Sequence, residues 1–249
     1  MEIGPTVIAA TLLGCFLGGI VKGVSGSGLP QVAVPLIALV TSVPIAVAVV
    51  QLPAMSINLA QARPQRGASS QVLRHWPIFL TLFGATILGV GMLRLAPPSL
   101  LFAFMGTVTI LAATFLVAKP GFGLPEKLRL PLGIPVALAA GLSAGLSSLA
   151  GPFLVPYYVA LRLPKEVFIP AISLSYLAII VPTMIFFLYW ELVDPRFFLF
   201  SLVAVIPSLL GMLAGNRLRQ LVDERQFRSI VLVTLLTTAA GLLVKAFVA

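Results

Sequence analysis

Charge is what this chain has least of. Only 9% of its 249 residues are Asp, Glu, Lys or Arg, against 59% hydrophobic, and mean hydropathy is +1.11. A soluble globular protein is about a quarter charged, and so little polar surface does not cover a water-soluble fold, which keeps its charges outside. Soluble enzymes, nucleic-acid-binding domains and disordered tails are excluded, despite a pI near 10.5. Cysteine is scarcer still: the single Cys15 lies in an apolar run and excludes an intramolecular disulfide or a thiolate metal cluster. No His/Cys/carboxylate cluster, no G-x-S-x-G with a partner histidine and no Walker motif appears. The sequence predicts no enzyme and calls for no metal or cofactor. Acids are missing from one place in particular. All seven (Glu2, Glu126, Glu166, Glu191, Asp194, Asp223 and Glu224) stand at segment ends or in loops.

What the chain has instead is long apolar sequence. A bilayer crossing needs about 20 mostly apolar residues. Reading between charges gives stretches at Ile3–Val21, Gly23–Ala62, Trp76–Leu93, Leu95–Ala118, Leu130–Leu161, Val167–Trp190, Phe197–Asn216 and Ser229–Val244. Gly23–Ala62 and Leu130–Leu161 are too long for one helix and must break. Pro30, Pro35, Pro44 and Pro53 punctuate the first; Pro131, Pro135, Pro152 and Pro156 punctuate the second. The opening stretch has no basic flank and runs straight into further apolar sequence, so it reads as a permanent membrane element and not a cleavable signal.

Both long stretches carry the same signature. Gly23-Val-Ser-Gly26-Ser-Gly28-Leu-Pro30 aligns without a gap on Gly145-Leu-Ser-Ser148-Leu-Ala150-Gly151-Pro152. Pro53-Ala54-Met-Ser56-Ile-Asn58 aligns on Pro170-Ala171-Ile-Ser173-Leu-Ser175, and Leu116-Val-Ala-Lys119 echoes Leu242-Leu-Val-Lys245. Three matches in order at similar offsets predict a duplicated chain, with halves at 1–125 and 126–249. Basic residues then set parity. Arg63, Arg66 and Arg74, then Lys119, Lys127 and Arg129, then Arg217, Arg219, Arg225 and Arg228 form the strongest basic loops, and such loops face the cytoplasm. All three face in only if the segments before and after each glycine motif form a pair, so that each half changes side an odd number of times. The expectation is an all-α polytopic membrane protein of two inverted repeats. Each repeat has a glycine/serine-rich broken-helix hairpin plus three full spans, 8–10 membrane segments in all. Both termini and the acidic turn Glu191–Asp194 then lie outside.

Irregular backbone at membrane depth must be buried in protein or line a wet cavity. In both motifs Gly and Ser precede a proline suited to a helix's first turn, and a helix N-terminus offers free N–H donors and partial positive charge. Two such ends, one from each half, make an anion site near the midplane. Ser25, Ser27, Ser147 and Ser148 add hydroxyl donors. Gly23, Gly26, Gly28, Gly145 and Gly151 allow close backbone approach, and Pro152 starts the second helix, while Gln31 stands just beyond the first motif. Lys22, the only charge between Glu2 and Arg63, abuts the first motif. It is either a functional charge within a span or a side chain that snorkels to an interface. Its counterpart is Ala144, so the site is asymmetric. Proton pumps and cation carriers bury carboxylates; their absence here favours an anion.

Other residues carry weaker signals. Gln51, Ser56, Asn58, Ser173 and Ser175 either line a pore or bond neighbouring helices. His75, the only histidine, reads as interfacial, with a proton shuttle as the alternative. Gly84, Gly89, Gly91, Gly211 and Gly215 have the spacing of close helix contacts. Tyr157 and Tyr158 either pack or stack over a substrate.

The two glycine motifs, Gly19-Ile-Val-Lys22-Gly23-Val-Ser25-Gly26-Ser27-Gly28-Leu-Pro30 with Pro35, and Gly141-Leu-Ser-Ala-Gly145-Leu-Ser147-Ser148-Leu-Ala150-Gly151-Pro152, resemble the TauE/SafE family of sulfite exporters, the toluenesulfonate-uptake permease superfamily. Further similarity runs through Leu93-Arg-Leu-Ala-Pro97 and the tail from Gly211 to Leu243. The resemblance implies a multi-pass transporter of the bacterial inner membrane for small sulfur anions (sulfite, thiosulfate or organosulfonates), driven by an ion gradient. Protons are one coupling ion, since sulfite titrates near neutral pH and a proton can ride on the substrate. The chain departs from the approximate pattern G-x-x-x-G-x-x-G-x-G-G-[GP] at Leu29, Ser148 and Ala150, whose side chains narrow the ligand's space. A non-transporting membrane scaffold and an anion channel are the alternatives.

Overall fold

The computed structural model describes residues 4–63, 69–117, 123–221 and 224–248. Glu2, Arg66, Lys119 and Asp223 lie outside the described residues, as do the side chains of Arg219, Glu224, Arg225 and Arg228. Every regular element among the described residues is helical. Helices α1 (Pro5–Ser25) and α2 (Leu29–Ala38) lead to α3 (Val43–Gln61), the short α4 (Ser69–Leu73), α5 (Trp76–Leu95) and α6 (Pro98–Val117). After a 3-10 turn at Glu126–Leu128 come α7 (Arg129–Ser147), α8 (Gly151–Ala160), α9 (Lys165–Tyr189), α10 (Arg196–Leu221) and α11 (Glu224–Val248). Six of these (α1, α3, α5, α7, α9 and α10) are long and apolar enough to cross a membrane. This is a multi-pass membrane protein.

Two expectations about boundaries change. Cutting stretches at charges ends the first span at Val21, but α1 runs through Lys22 to Ser25, because the lysine is buried against protein and meets no lipid. Proline does less of the breaking than expected. Pro30, Pro44 and Pro152 sit in first turns, where a missing N–H costs nothing. Pro35, Pro53, Pro135 and Pro156 lie inside helices, as membrane helices tolerate when neighbours re-satisfy the freed carbonyls. Left-handed residues make the breaks. After them α2 and α8 run only 10 residues each, about 15 Å, half the ~30 Å hydrocarbon core.

The half-helix α2 folds back along α1, with Gly14 facing Ala33 and Gly18 facing Leu29. Its C-terminal carbonyls meet a cation from the far end of the chain: Lys245 Nζ donates to Ala38 O and Thr41 O at 2.8 Å and to Leu39 O at 3.3 Å, a charge suited to that end of a helix.

Helices in lipid gain little from burying apolar surface, so close van der Waals contact through small residues holds them together. Gly19 and Gly23 of α1 lie on the backbone of Ser208, Met212 and Asn216, while Gly211 and Gly215 of α10 lie on Phe16, Ile20 and Gly23. Residue numbers rise together, so α1 and α10 run parallel. The same device joins α5 to α7 in parallel, through Gly89 against Leu142 and Gly145, and Gly141 against Leu82 and Thr86. Helices α3 and α9 pack together between these two pairs, α3 also against α10 and α9 also against α5; α6 packs on α11. Gly84 faces open space and Gly91 faces the Trp190 ring, so neither joins those seams.

A matched substitution series tests the packing. Gly211→Ala and Gly89→Ala each place a Cβ against helix backbone and are expected to cost about 1–3 kcal/mol by overpacking. Gly84→Ala is expected to be neutral or slightly stabilising. Melting midpoints of the purified variants in detergent check the order; equal midpoints would refute it.

Candidate functional site

Each long apolar stretch breaks where its repeat motif predicts. Gly26 ends α1 in the left-handed conformation at φ 78°, donating its N–H to Lys22 O, and Gly28 (φ 116°) precedes α2. In the second motif Ser148 takes the position of Gly26 and the same left-handed conformation, φ 61°, donating its N–H to Ala144 O. A side chain held there costs about 1–2 kcal/mol. Its hydroxyl accepts from Gln51 Nε2 at 3.3 Å, a tie from α3 to the second elbow. Neither half-helix carries a side-chain cap.

The elbows meet. The Gln31 side chain, in the first turn of α2, occupies the space a Cβ on Gly151 would need. Gly151 is thus the glycine whose missing side chain lets the second elbow receive the first. The N-terminal ends of α2 and α8, with Pro152 buried beside them, come together inside the protein. Gly23 and Gly145, expected to let backbone approach a ligand, instead lie against the backbones of α10 and α5. Their role is helix packing, and the expectation is corrected.

Lys22 is the centre of polarity. Only 1% exposed, it donates from Nζ to Asn58 Oδ1 at 2.8 Å and to Gly26 O at 3.3 Å, and the ammonium stands 5.3 Å from the centre of the Tyr176 ring. The snorkelling alternative fails on this burial. Asn58 is held in turn by Nδ2 donating to Ala54 O. Ser27 Oγ and Tyr176 OH share a hydrogen bond of 2.6 Å, so the first elbow, α1, α3 and α9 converge here. The ion pairs of the described residues lie elsewhere: Arg74 and Arg129 with Glu126, and Arg196 with Asp194. Lys22 thus sits among neutral oxygens and a ring face, and burying an ion costs several kcal/mol unless an opposite charge answers it.

The other expected residues divide. Ser25 is exposed and bonds Val21 O, finishing α1. Ser147 bonds Ser143 O, and Ser56 bonds Pro53 O, so these hydroxyls serve their own helices. Ser175 pairs with Tyr158 OH at 2.8 Å, and Tyr157 OH donates to Arg129 O; both tyrosines pack. Ser173 Oγ and Gln51 Oε1 are buried without a partner. Tyr176 was not among the expected residues. Its only signal was its place directly after the second P-A-x-S-x-S match, in a stretch where a lone tyrosine reads as packing.

His75 is buried at the N-terminus of α5, its ring 5.6 Å from that of Tyr158. Burial, reinforced by the Arg129 and Arg74 charges, lowers its pKa to about 4. The shift favours the neutral imidazole at physiological pH.

The chain combines six helices long and apolar enough to cross a membrane with two 10-residue half-helices and a buried lysine, the make-up of a multi-pass membrane protein. Residues 11–242 match the family Sulfite exporter TauE/SafE, and the chain belongs to that family. Its members are transporters and not enzymes. Searches of curated proteins and of solved structures each found no match.

The histidine makes a pH prediction. The unfolded state takes up a proton below about pH 6.5, but the folded state does so only near pH 4. Stability is therefore full above 6.5 and is lost as pH falls from 6.5 towards 4. His75→Phe keeps the ring contact and is expected to flatten that slope in melting scans from pH 7.5 to 4.5. An unchanged slope would assign the acid sensitivity to other groups.

Proposed function

We infer that this protein carries small sulfur-containing anions (sulfite, thiosulfate or organosulfonates) across the bacterial inner membrane by alternating access around Lys22. The observation that carries the reading is a buried ammonium beside the first elbow whose partners among the described residues are all neutral. An oxyanion supplies the missing charge. In this reading Asn58, Ser27 and Tyr176, which cluster about the lysine, bond the anion's oxygens, and Gln31, Gly28, Gly151, Ser148 and Gln51 belong to the elbows and helix that would enclose it. The family, described as sulfite exporters, points the same way.

Alternating access needs two arrangements of one site, and inverted halves at 1–125 and 126–249 supply them. The packing supports this division. The contacts of α1 with α10, α3 with α10 and α2 with α11 have counterparts in α7 with α5, α9 with α5 and α8 with α6. Exchanging first-half helices for second-half ones turns each set into the other. In this reading Arg63, Arg74 and Arg217 face the cytoplasm and both termini lie outside. A proton travelling on the substrate is the coupling consistent with a site free of carboxylates.

Sulfite or thiosulfate is expected to raise the melting midpoint of the purified protein in detergent; at a hundred times Kd the gain is about 2.7 kcal/mol. Lys22→Ala is expected to abolish the shift and anion flux into proteoliposomes, and Lys22→Arg to keep part of both. Undiminished sulfite affinity in Lys22→Ala would remove the lysine from the site.

A further inference from the structure

A second polar space lies above the Lys22 cluster, at the ends of the same two helices. Gln61 at the end of α3, Arg63 just beyond it, and Lys165, Glu166, Ile169 and Pro170 in the first turns of α9 line a cavity of about 180 Å³. It has room for a small oxyanion with part of its water. Two cations face it against one carboxylate, from two different elements. Beneath it, Gln61 is three residues from Asn58, on the same side of α3. On α9 the positions Ile169, Ser173 and Tyr176 follow helical spacing along one stripe, so Ile169 at the cavity is about 10.5 Å of helix from Tyr176. Two buried polar atoms on this route have no partner among the described residues, Gln61 Oε1 at the cavity and Ser173 Oγ between cavity and phenol. Such atoms are rare in a folded protein and call for an occupant, water or ligand.

We propose that this cavity is a vestibule that captures the oxyanion before it reaches Lys22. Arg63 and Lys165 draw it in from the side on which α3 ends and α9 begins, and the α3–α9 seam past Ser173 leads it inward. Glu166 opposes capture and keeps dwell time short. The proposal rests on the reading of Lys22 as the central site and adds a distinct site in series with it. Two cations against one carboxylate leave the cleft net positive, and such a field concentrates a counter-ion and raises its on-rate about tenfold, an effect screened by salt.

The test uses the full-length protein in proteoliposomes of known orientation, with sulfite and methanesulfonate as probes and initial rates measured separately from each face. The double substitution Arg63→Gln with Lys165→Gln is expected to raise the half-saturating concentration about tenfold for flux starting at the vestibule face only. It should also abolish the salt dependence of that flux, and leave the melting shift caused by saturating sulfite in place. Glu166→Gln should move the half-saturating concentration the other way. The charge-keeping pair Arg63→Lys with Lys165→Arg should restore wild-type values, which separates loss of charge from loss of fold. Half-saturation unchanged at both faces, or raised equally at both, overturns the vestibule while leaving the central site standing. A wild-type protein that neither transports nor is stabilised by any sulfur anion overturns both.

Discussion

A lysine ammonium inside a membrane protein needs an answer to its charge, and among the described residues Lys22 meets an asparagine oxygen, a glycine carbonyl and a tyrosine face. In a low-dielectric interior that arrangement is expensive, and much of the surrounding structure makes it tolerable. The Gly26 carbonyl is available because α1 ends there. Asn58 is oriented by its own bond to Ala54 O. Tyr176 is steadied by Ser27 on the elbow itself. The cluster presents a positive charge that these neutral groups leave unanswered, which is the charge the proposed anion would meet.

The two elbows solve one backbone problem with different residues. Gly26 accepts a left-handed conformation at no steric cost, whereas Ser148 does so against its side chain and gains a bond from Gln51. Lys22 has Ala144 as its counterpart, and Asn58 has Ser175, which bonds Tyr158. The aligned positions thus carry different contacts: a buried cation cluster at the first motif and side-chain packing at the second.

Glycine does two jobs here that look alike on paper. Gly19, Gly23, Gly145 and Gly211 let whole helices touch, whereas Gly26 and Gly151 shape the meeting of the elbows. The first glycine motif, from Gly19 to Gly28, spans both kinds, because glycine is chosen either for its missing Cβ or for its backbone freedom, and the letter does not say which. That is why Gly23 and Gly145 read as ligand-facing in the sequence and proved to be seams between helices.

The sequence by itself determined the solvent, the helical class, the places of the two breaks and the lysine, because each depends on composition or local backbone chemistry. A shortage of charge forces a membrane, a membrane forces satisfied backbone, and a Gly/Ser run before proline interrupts a helix. Tertiary structure alone decided that the elbows touch through Gln31 and Gly151, that Lys22 faces Asn58 36 residues away, and that Tyr176 closes the cluster from 149 residues beyond Ser27. Those pairings depend on which helix faces lie together. In lipid, shape complementarity among many similar small and apolar side chains sets that choice, and no local signal records it.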